Sequence, residues 1–465
     1  MTKHVHLIGI GGAGLSAIAT LLLESGYLVS GSDVVASEAT TKLTALGARV
    51  TIGHKADNVA DADMVVISSA VAATNPEVVA ADARGIPVLK RADFLGQLMT
   101  GRIGIAVAGT HGKTTTTALI SYLLMRAERD PSFIVGGVLA DLGTNARHGQ
   151  GAPFVIEADE YDGMFLGLKP TVAVVTNVEH DHPDYYPTLE DYHRAFEQFV
   201  LLIPGDGEPV PGVLIACRDD AGAQQLGEWA AQKGLRVIWY GLKNGSSWKA
   251  ENIQTNNAGG NDFIVMRDGA MVGLARIRLP GLQNVSNSLA ALAAISTLGV
   301  ELNDVRAALA EFRGVGRRFE EKGEVRGIMV VDDYAHHPTE IRATLAAARR
   351  RYGERKIWAM FQPHTFSRTR ALLADFAASF GDADHVVVTD IFRSRESFDP
   401  SVSAKDIVAQ MTTQMTHPDA RYVPTLAEAT QVLVAEMKTG EVLITLGAGD
   451  GNTVGEGVIR AMTNG

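Results

Sequence analysis

The chain has 465 residues, 46% of them hydrophobic and 20% charged, with a formal net charge of −11 and a single cysteine, Cys217. Such a length exceeds one hydrophobic core, and the ordinary apolar and charged content excludes a disordered or fibrous chain. The negative balance speaks against nucleic acid as a partner, one cysteine excludes an intrachain disulfide, and no apolar run approaches bilayer length, so a multidomain cytoplasmic protein without stable membrane insertion is expected.

Residues 4–10 read as a buried strand entered directly from the N-terminus, which argues against a secretory leader. A helix is expected over 11–25, with strands over 28–33 and 64–69. Strands alternating with helices imply a parallel sheet covered on both faces, so residues 1–100 form one Rossmann-like unit. Its first turn, Gly9-Ile10-Gly11-Gly12-Ala13-Gly14, fits G-x-G-x-x-G between strand and helix, and Asp33 ends the next strand where a ribose-binding acid belongs. With Ser68 and Ser69 on the 64–69 segment, these residues are candidates for holding a diphosphate. A dinucleotide, a UDP-sugar and ligand-free close packing of helix on strand all remain open for this loop.

Residues 101–316 form a second unit. Strand 102–108 feeds Gly109-Thr110-His111-Gly112-Lys113-Thr114-Thr115, a phosphate-cradling loop in which backbone N–H groups and a helix N-terminus face an anion. Lys113 supplies a point charge and Thr114 a hydroxyl for a divalent cation. Val107 stands where the full Walker pattern has glycine, so the loop is a shortened variant. Runs 154–159 and 171–177 each finish in polar residues, as at the carboxyl edge of an open α/β sheet. The first delivers Glu157, Asp159, Glu160 and Asp162; Glu157 beside Thr114 suits Mg²⁺, which prefers hard oxygen ligands. The second leads into His180 and His182 among Glu179, Asp181 and Asp184, with His182 the candidate metal ligand. Hairpins are expected over 248–279, a helix from about residue 284, and a linker over 314–323.

A second Rossmann-like alternation fills 317–465, with strands over 328–332, 356–362, 385–391 and 441–447. It carries three polar clusters, at Arg317 and Arg318, at 332–338, and at 362–370. Guanidinium groups pair bidentately with phosphate and carboxylate, so this unit is suited to closing over a nucleotide and an acid. The fold class expected is α/β in three domains, with a parallel or mixed sheet in the central ATPase.

Taken in order, residues 9–14, 109–117, 157–162, 177–184, 284–287, 317–319, 332–338 and 362–368 resemble the Mur ligases, whose ATP loop reads Gly-Thr-His-Gly-Lys-Thr. The resemblance implies an N-terminal domain for the UDP moiety, a central ATPase and a mobile C-terminal domain. By it, Gly109, Thr110, His111, Gly112 and Thr115 line the ATP loop, Lys113 contacts the phosphates, Thr114 and Glu157 hold one Mg²⁺, and His182 holds a second. Asn284 and Asn287 match the adenine side, Arg318 a phosphate contact and Asp333 a ribose or nucleotide contact, while His336, His364 and Arg368 lie near the substrate carboxylate and incoming amine. Lys113, Glu157, His182 and Arg318 are the catalytic candidates.

The implied reaction activates the carboxylate of UDP-N-acetylmuramate as an acyl phosphate at the expense of ATP, and L-alanine then displaces phosphate, a step of peptidoglycan precursor synthesis. Ligation of a murein tripeptide to the same sugar is the alternative: the 160–162 run suits it, whereas the 362–368 run suits alanine. An NAD-linked oxidoreductase and a non-catalytic UDP-sugar-binding protein are the readings outside this class. Gln283, where the family often has His, and Thr365, where some members have Arg, depart from the pattern; Arg370 is the substitute for the second. The resemblance leaves monomer or homodimer open.

Overall fold

The computed structural model describes residues 3–205, 212–414, 417 and 419–464, which form three α/β domains, each on its own sheet. In the first, His4–Ile8 is buried along its whole length at the centre of five parallel strands. It lies between Leu28–Asp33 and Met64–Ile67, with Arg49–Ile52 and Val88–Lys90 at the edges. A central strand covered on both faces has no solvent side, so Val5, Leu7 and Ile8 are buried and its two polar residues, His4 and His6, turn inward onto Ser30 Oγ. The helix expected over 11–25 begins at Ala13, because Gly12 stays extended as its N-cap, and runs Ala13–Glu24.

The central sheet has ten strands, with Ile103–Ala108 between Pro153–Glu157 and Val172–Val175, all parallel. The register sets Glu157 opposite Val107 and Val175 opposite Ala108. Polar residues ending one neighbour and following the other therefore emerge on either side of the phosphate loop. The hairpins over 248–279 are the antiparallel strands Trp248–Thr255, Asn261–Arg267 and Ala270–Ile277, and the next helix is Leu282–Ser296.

In the C-terminal sheet, Ile328–Asp333, Val442–Leu446, Ile357–Phe361, His385–Val388 and Ala420–Tyr422 run parallel in that spatial order. Glu320–Val325 joins its edge antiparallel, so the linker expected over 314–323 ends at Phe319. Only Val325 of that strand is buried, and its charged, glycine-broken text masks an edge strand as a connection.

One apolar core, from Val5 to Val315, is shared by the first two domains and includes Leu15, Phe94, Ile105 and Phe165. The third domain keeps its own clusters, around Val331, Phe361 and Ile444 on one face and Trp358, Leu443 and Val458 on the other. Among the described residues no helix is long and apolar enough to cross a membrane.

Candidate active site

The phosphate loop turns at two left-handed glycines, Gly109 (φ +133°) and Gly112 (φ +81°). A Cβ at Gly109 would stand 2.0 Å from Thr176 Oγ1, and one at Gly112 2.8 Å from Asn287 Oδ1, so conformation and space both exclude a side chain. Lys113 opens helix Lys113–Arg126, and its Nζ donates to Gly109 O (2.5 Å), Thr110 O (3.2 Å) and Glu160 Oε1 (3.0 Å). Burial works against its charge, but the carboxylates of Glu160, Asp159 and Glu157 outweigh it and raise its pKa, so the ammonium persists.

Thr114 Oγ1 donates to Glu157 Oε1 at 3.0 Å, and Glu157 Oε2 accepts from Gly136 N at 2.7 Å. Two hard oxygens from adjacent elements, beside a phosphate cradle, fit Mg²⁺. Arg318 Nη2 donates to Thr114 Oγ1 at 3.2 Å, which brings a C-terminal-domain guanidinium to the same point. Arg317, by contrast, is spent within its own domain on Asp332 Oδ2, Gly447 O and Gly449 O.

His111 meets two carboxylates: Nε2 lies 3.2 Å from Glu179 Oε2 and Nδ1 3.1 Å from Glu340 Oε1. Burial disfavours its charge, yet the two acids raise its pKa to about 9. Its ring is therefore an imidazolium bridging the central and C-terminal domains, while its backbone is held by Asn177 Oδ1 on N–H and by Thr176 Oγ1 on C=O. Glu340 is the N3 residue of a capping box at the start of helix Pro338–Tyr352, accepting from His336 N and His337 N. Thr339 Oγ1 adds a 2.8 Å bond to Glu179 Oε1. Sequence reasoning missed Glu179 and Glu340 as bridge partners; the His-Pro-Thr-Glu text of the capping box marks a helix start and says nothing of His111. Among the described residues, ligand atoms of His111, Glu179 and His337 lie within 4.8 Å of one another.

Of the paired histidines, His180 is spent on Tyr186 O at 2.8 Å, whereas His182 Nε2 lies 3.7 Å from both Glu160 Oε1 and Asp181 Oδ2. Asp181 also receives Nε and Nη2 of Arg368, each at 2.9 Å, in a buried ion pair between the central and C-terminal domains. Burial opposes the Asp181 charge, but Arg368 holds its pKa well below the usual range. His364 accepts Arg368 against its ring and carbonyl, and burial lowers the pKa of His364 to about 4 and of His336 to about 3. The two rings approach at 6.0 Å and are neutral, so they offer hydrogen bonds rather than charge. Arg370 is exposed and paired with Asp399 and Ser401, and Thr365 Oγ1 lies 3.1 Å from Ser367 Oγ.

Two cavities meet at this edge. One, of about 190 Å³, is lined by His111, Thr115, Gln283, Asn284, Asn287 and Asp333, so the residues expected on the adenine and ribose side converge. Asn284 Nδ2 donates to Pro280 O and Asn287 Nδ2 to Asn284 Oδ1. Asp333 accepts Phe319 N and Ala335 N, and burial lifts its pKa to about 6. The larger cavity, about 530 Å³, runs from Ala13 and Gly14 of the N-terminal loop to Thr114, Glu157 and Arg318. Asp33 buttresses that N-terminal loop, its Oδ2 accepting Gly11 N at 2.8 Å. Ser68 Oγ stands 3.3 Å from where a Gly9 Cβ would be, and Ser69 beside it is exposed.

Two glycine loops on separate sheets, joined by one cavity and closed by a third domain, suit an ATP-dependent ligase, and the chain belongs to the Mur ligase family. Its residues 4–102 match the model for the Mur ligase family catalytic domain, 107–295 the Mur ligase middle domain and 317–449 the Mur ligase glutamate ligase domain. The relative from Alkaliphilus metalliredigens named UDP-N-acetylmuramate–L-alanine ligase is 44% identical, covering 96% of this chain and 95% of its own. The solved UDP-N-acetylmuramate-alanine ligase MurC of Thermotoga maritima is 30% identical over all of both chains, with a TM-score of 0.81. The murein peptide ligase of Psychrobacter arcticus is 25% identical over 99% of each chain, with a TM-score of 0.72.

Proposed function

We infer that this chain joins L-alanine to the carboxylate of UDP-N-acetylmuramate, with ATP converted to ADP and phosphate. The observation that carries the reading is the 530 Å³ cavity, which links Gly14 to Thr114 and Glu157 and so lets a UDP-anchored acid reach the terminal phosphoryl group of a nucleotide in the Lys113 loop. The identity and overlap of the alanine-ligase relatives support alanine as the amine over a tripeptide.

In the first step a carboxylate oxygen attacks the γ-phosphorus and the bond to ADP breaks, giving an acyl phosphate. In the second the alanine amine attacks the acyl carbon, and phosphate leaves with the bonding pair. Lys113 and Arg318 neutralise charge that builds on the transferring group, and the loop amides orient it. Thr114 and Glu157 would hold Mg²⁺, which supplies further neutralisation of the phosphates; His182, opposite Glu160, is the ligand we assign to a second ion. No covalent link to the protein is needed, because positioning two bound reactants supplies much of the rate. Neutral His336 and His364, next to Arg368, suit recognition of the incoming amino acid. We assign the cytoplasm, where ATP and nucleotide sugars are available, and domain limits of 1–100, 101–316 and 317–465.

The test is phosphate release with a panel of amines. Release should require both UDP-N-acetylmuramate and L-alanine, with glycine and serine measured alongside; equal stimulation by murein tripeptide would transfer the assignment to the tripeptide enzyme.

A further inference from the structure

Arg91 is the first residue of helix Arg91–Met99, directly after the edge strand Val88–Lys90, and none of the contacts above uses it. Its guanidinium folds back over the N-terminal glycine loop. A Cβ on Gly14 would stand 1.6 Å from Arg91 Nη1 and 2.8 Å from Cζ, so the guanidinium lies directly against the last glycine of the pattern.

The guanidinium is under-used. Nη2 donates to Asp159 Oδ2 at 3.4 Å and to the thioether of Met164 at 2.6 Å, and among the described residues no other acceptor meets it. A thioether is a weak acceptor, and five N–H donors on a side chain only 22% exposed are an expensive group to leave unmatched. Arg317 and Arg368, by comparison, each have all three guanidinium nitrogens on oxygen or imidazole acceptors of the protein. Burial lowers the Arg91 pKa from its ordinary value, which Asp159 and Asp162 counter, and the group stays cationic.

Its surroundings match one kind of ligand. Helix Ala13–Glu24 starts at Gly12 with no side-chain cap and no acid in its first turn, leaving its leading amides free for an anion. Arg91 and that helix end line the same end of the 530 Å³ cavity, with Thr114 and Glu157 lining the other. We propose that Arg91 clamps the diphosphate of the UDP-sugar against the Gly12–Ala13–Gly14 turn, and that it exchanges its long contact to Asp159 for this pair when substrate enters. The proposal rests on the reading of the glycine loop as the UDP site. The reacting carboxylate has to lie beside Lys113 and Thr114 instead, since that is where phosphoryl transfer takes place.

The experiment titrates the full-length protein with UDP and with uridine, which share the nucleoside and differ in the diphosphate. Wild type should bind UDP the more tightly. Arg91→Ala should lose about 10- to 100-fold in UDP affinity, the scale of a charge-assisted bidentate pair, with uridine affinity unchanged. The KM for UDP-N-acetylmuramate should rise by a similar factor while that for ATP holds. Arg91→Lys should recover part of the loss, and Arg91→Gln, which keeps the packing over Gly14, should repeat the alanine result if alanine impairs folding. Equal weakening of UDP and uridine, or unchanged UDP binding, would overturn the role of Arg91. Wild type that binds ATP but neither UDP nor UDP-N-acetylmuramate would overturn the glycine-loop reading, and the clamp with it.

Discussion

The His111 bridge yields a prediction whose size follows from the structure. The imidazolium is shared between Glu179 of the central domain and Glu340 of the C-terminal domain, at 3.2 and 3.1 Å, and the His111 side chain is 12% exposed, so solvent screens it little. A rise from 6.5 to about 9 corresponds to about 3 kcal/mol favouring the assembled, protonated state. Because the folded-state value is raised, this stabilisation is complete below pH 6.5 and is lost as pH climbs through 9. His111→Asn removes the titrating group while keeping one hydrogen-bonding arm. Urea unfolding of wild type and variant at pH 6, 8 and 10 should show the variant less stable by about 3 kcal/mol at pH 6 and nearly equal to wild type at pH 10. Small-angle scattering should show the C-terminal domain of the variant opening at pH 6 as wild type does at pH 10. A cost of substitution that is the same at all three pH values would refute the ionic bridge and leave His111 as a packing residue.

Lys113→Ala should abolish ADP formation while leaving UDP-N-acetylmuramate affinity, measured by calorimetry, within a few-fold of wild type, because the two ligands lie on different loops. Glu77 is fully buried, and although burial alone would raise its pKa, bonds from His6, Ser32 and Asn58 bring it from 4.5 to about 2. It contributes stability above pH 4.5 that is lost as pH falls towards 2, so the thermal midpoint of wild type should drop through that window more steeply than that of Glu77→Gln. A Cβ on Gly96 would meet Gly167 O at 2.1 Å, so Gly96→Ala should separate helix Arg91–Met99 from the segment Tyr161–Gly167. It should cost about 1–3 kcal/mol in denaturant unfolding and raise the KM for the UDP-sugar more than that for ATP.

The elements legible in the sequence were those whose cause is local. Ile103–Ala108 and Ile357–Phe361 announce themselves as continuous apolar runs because a parallel strand buried on both faces favours apolar side chains throughout, and His4–Ile8 reads as buried despite two histidines that turn inward onto Ser30. The Gly109 to Thr115 loop was legible because its glycines are required by backbone geometry and its lysine and threonine by charge. Glu320–Val325 was not, since an edge strand buries one residue and resembles a charged connection. Partnerships distant along the chain were hidden for a different reason. Nothing near Glu340 in the sequence points to His111, which lies 229 positions away, and Arg91 lies 77 positions from Gly14.

Those hidden partnerships share a chemistry that bears on how the domains move. The first two domains share one apolar core, so separating them would expose hydrocarbon, whereas the C-terminal domain has clusters of its own. Its contacts to the central site are polar: Arg318 to Thr114, Glu340 to His111, Thr339 to Glu179 and Arg368 to Asp181. Breaking them in water hydrates the groups they release, and the net cost is far below the in-vacuum strength of the bonds. Three of these contacts engage groups assigned to reactants: Thr114 to the metal and phosphates, His111 to the ATP loop, and Arg368 to the substrate. Each is a group that a bound reactant can engage in place of its present partner. The C-terminal domain is thus held to the central site by exchangeable polar contacts, while the N-terminal domain is fixed to the central one by a shared apolar core.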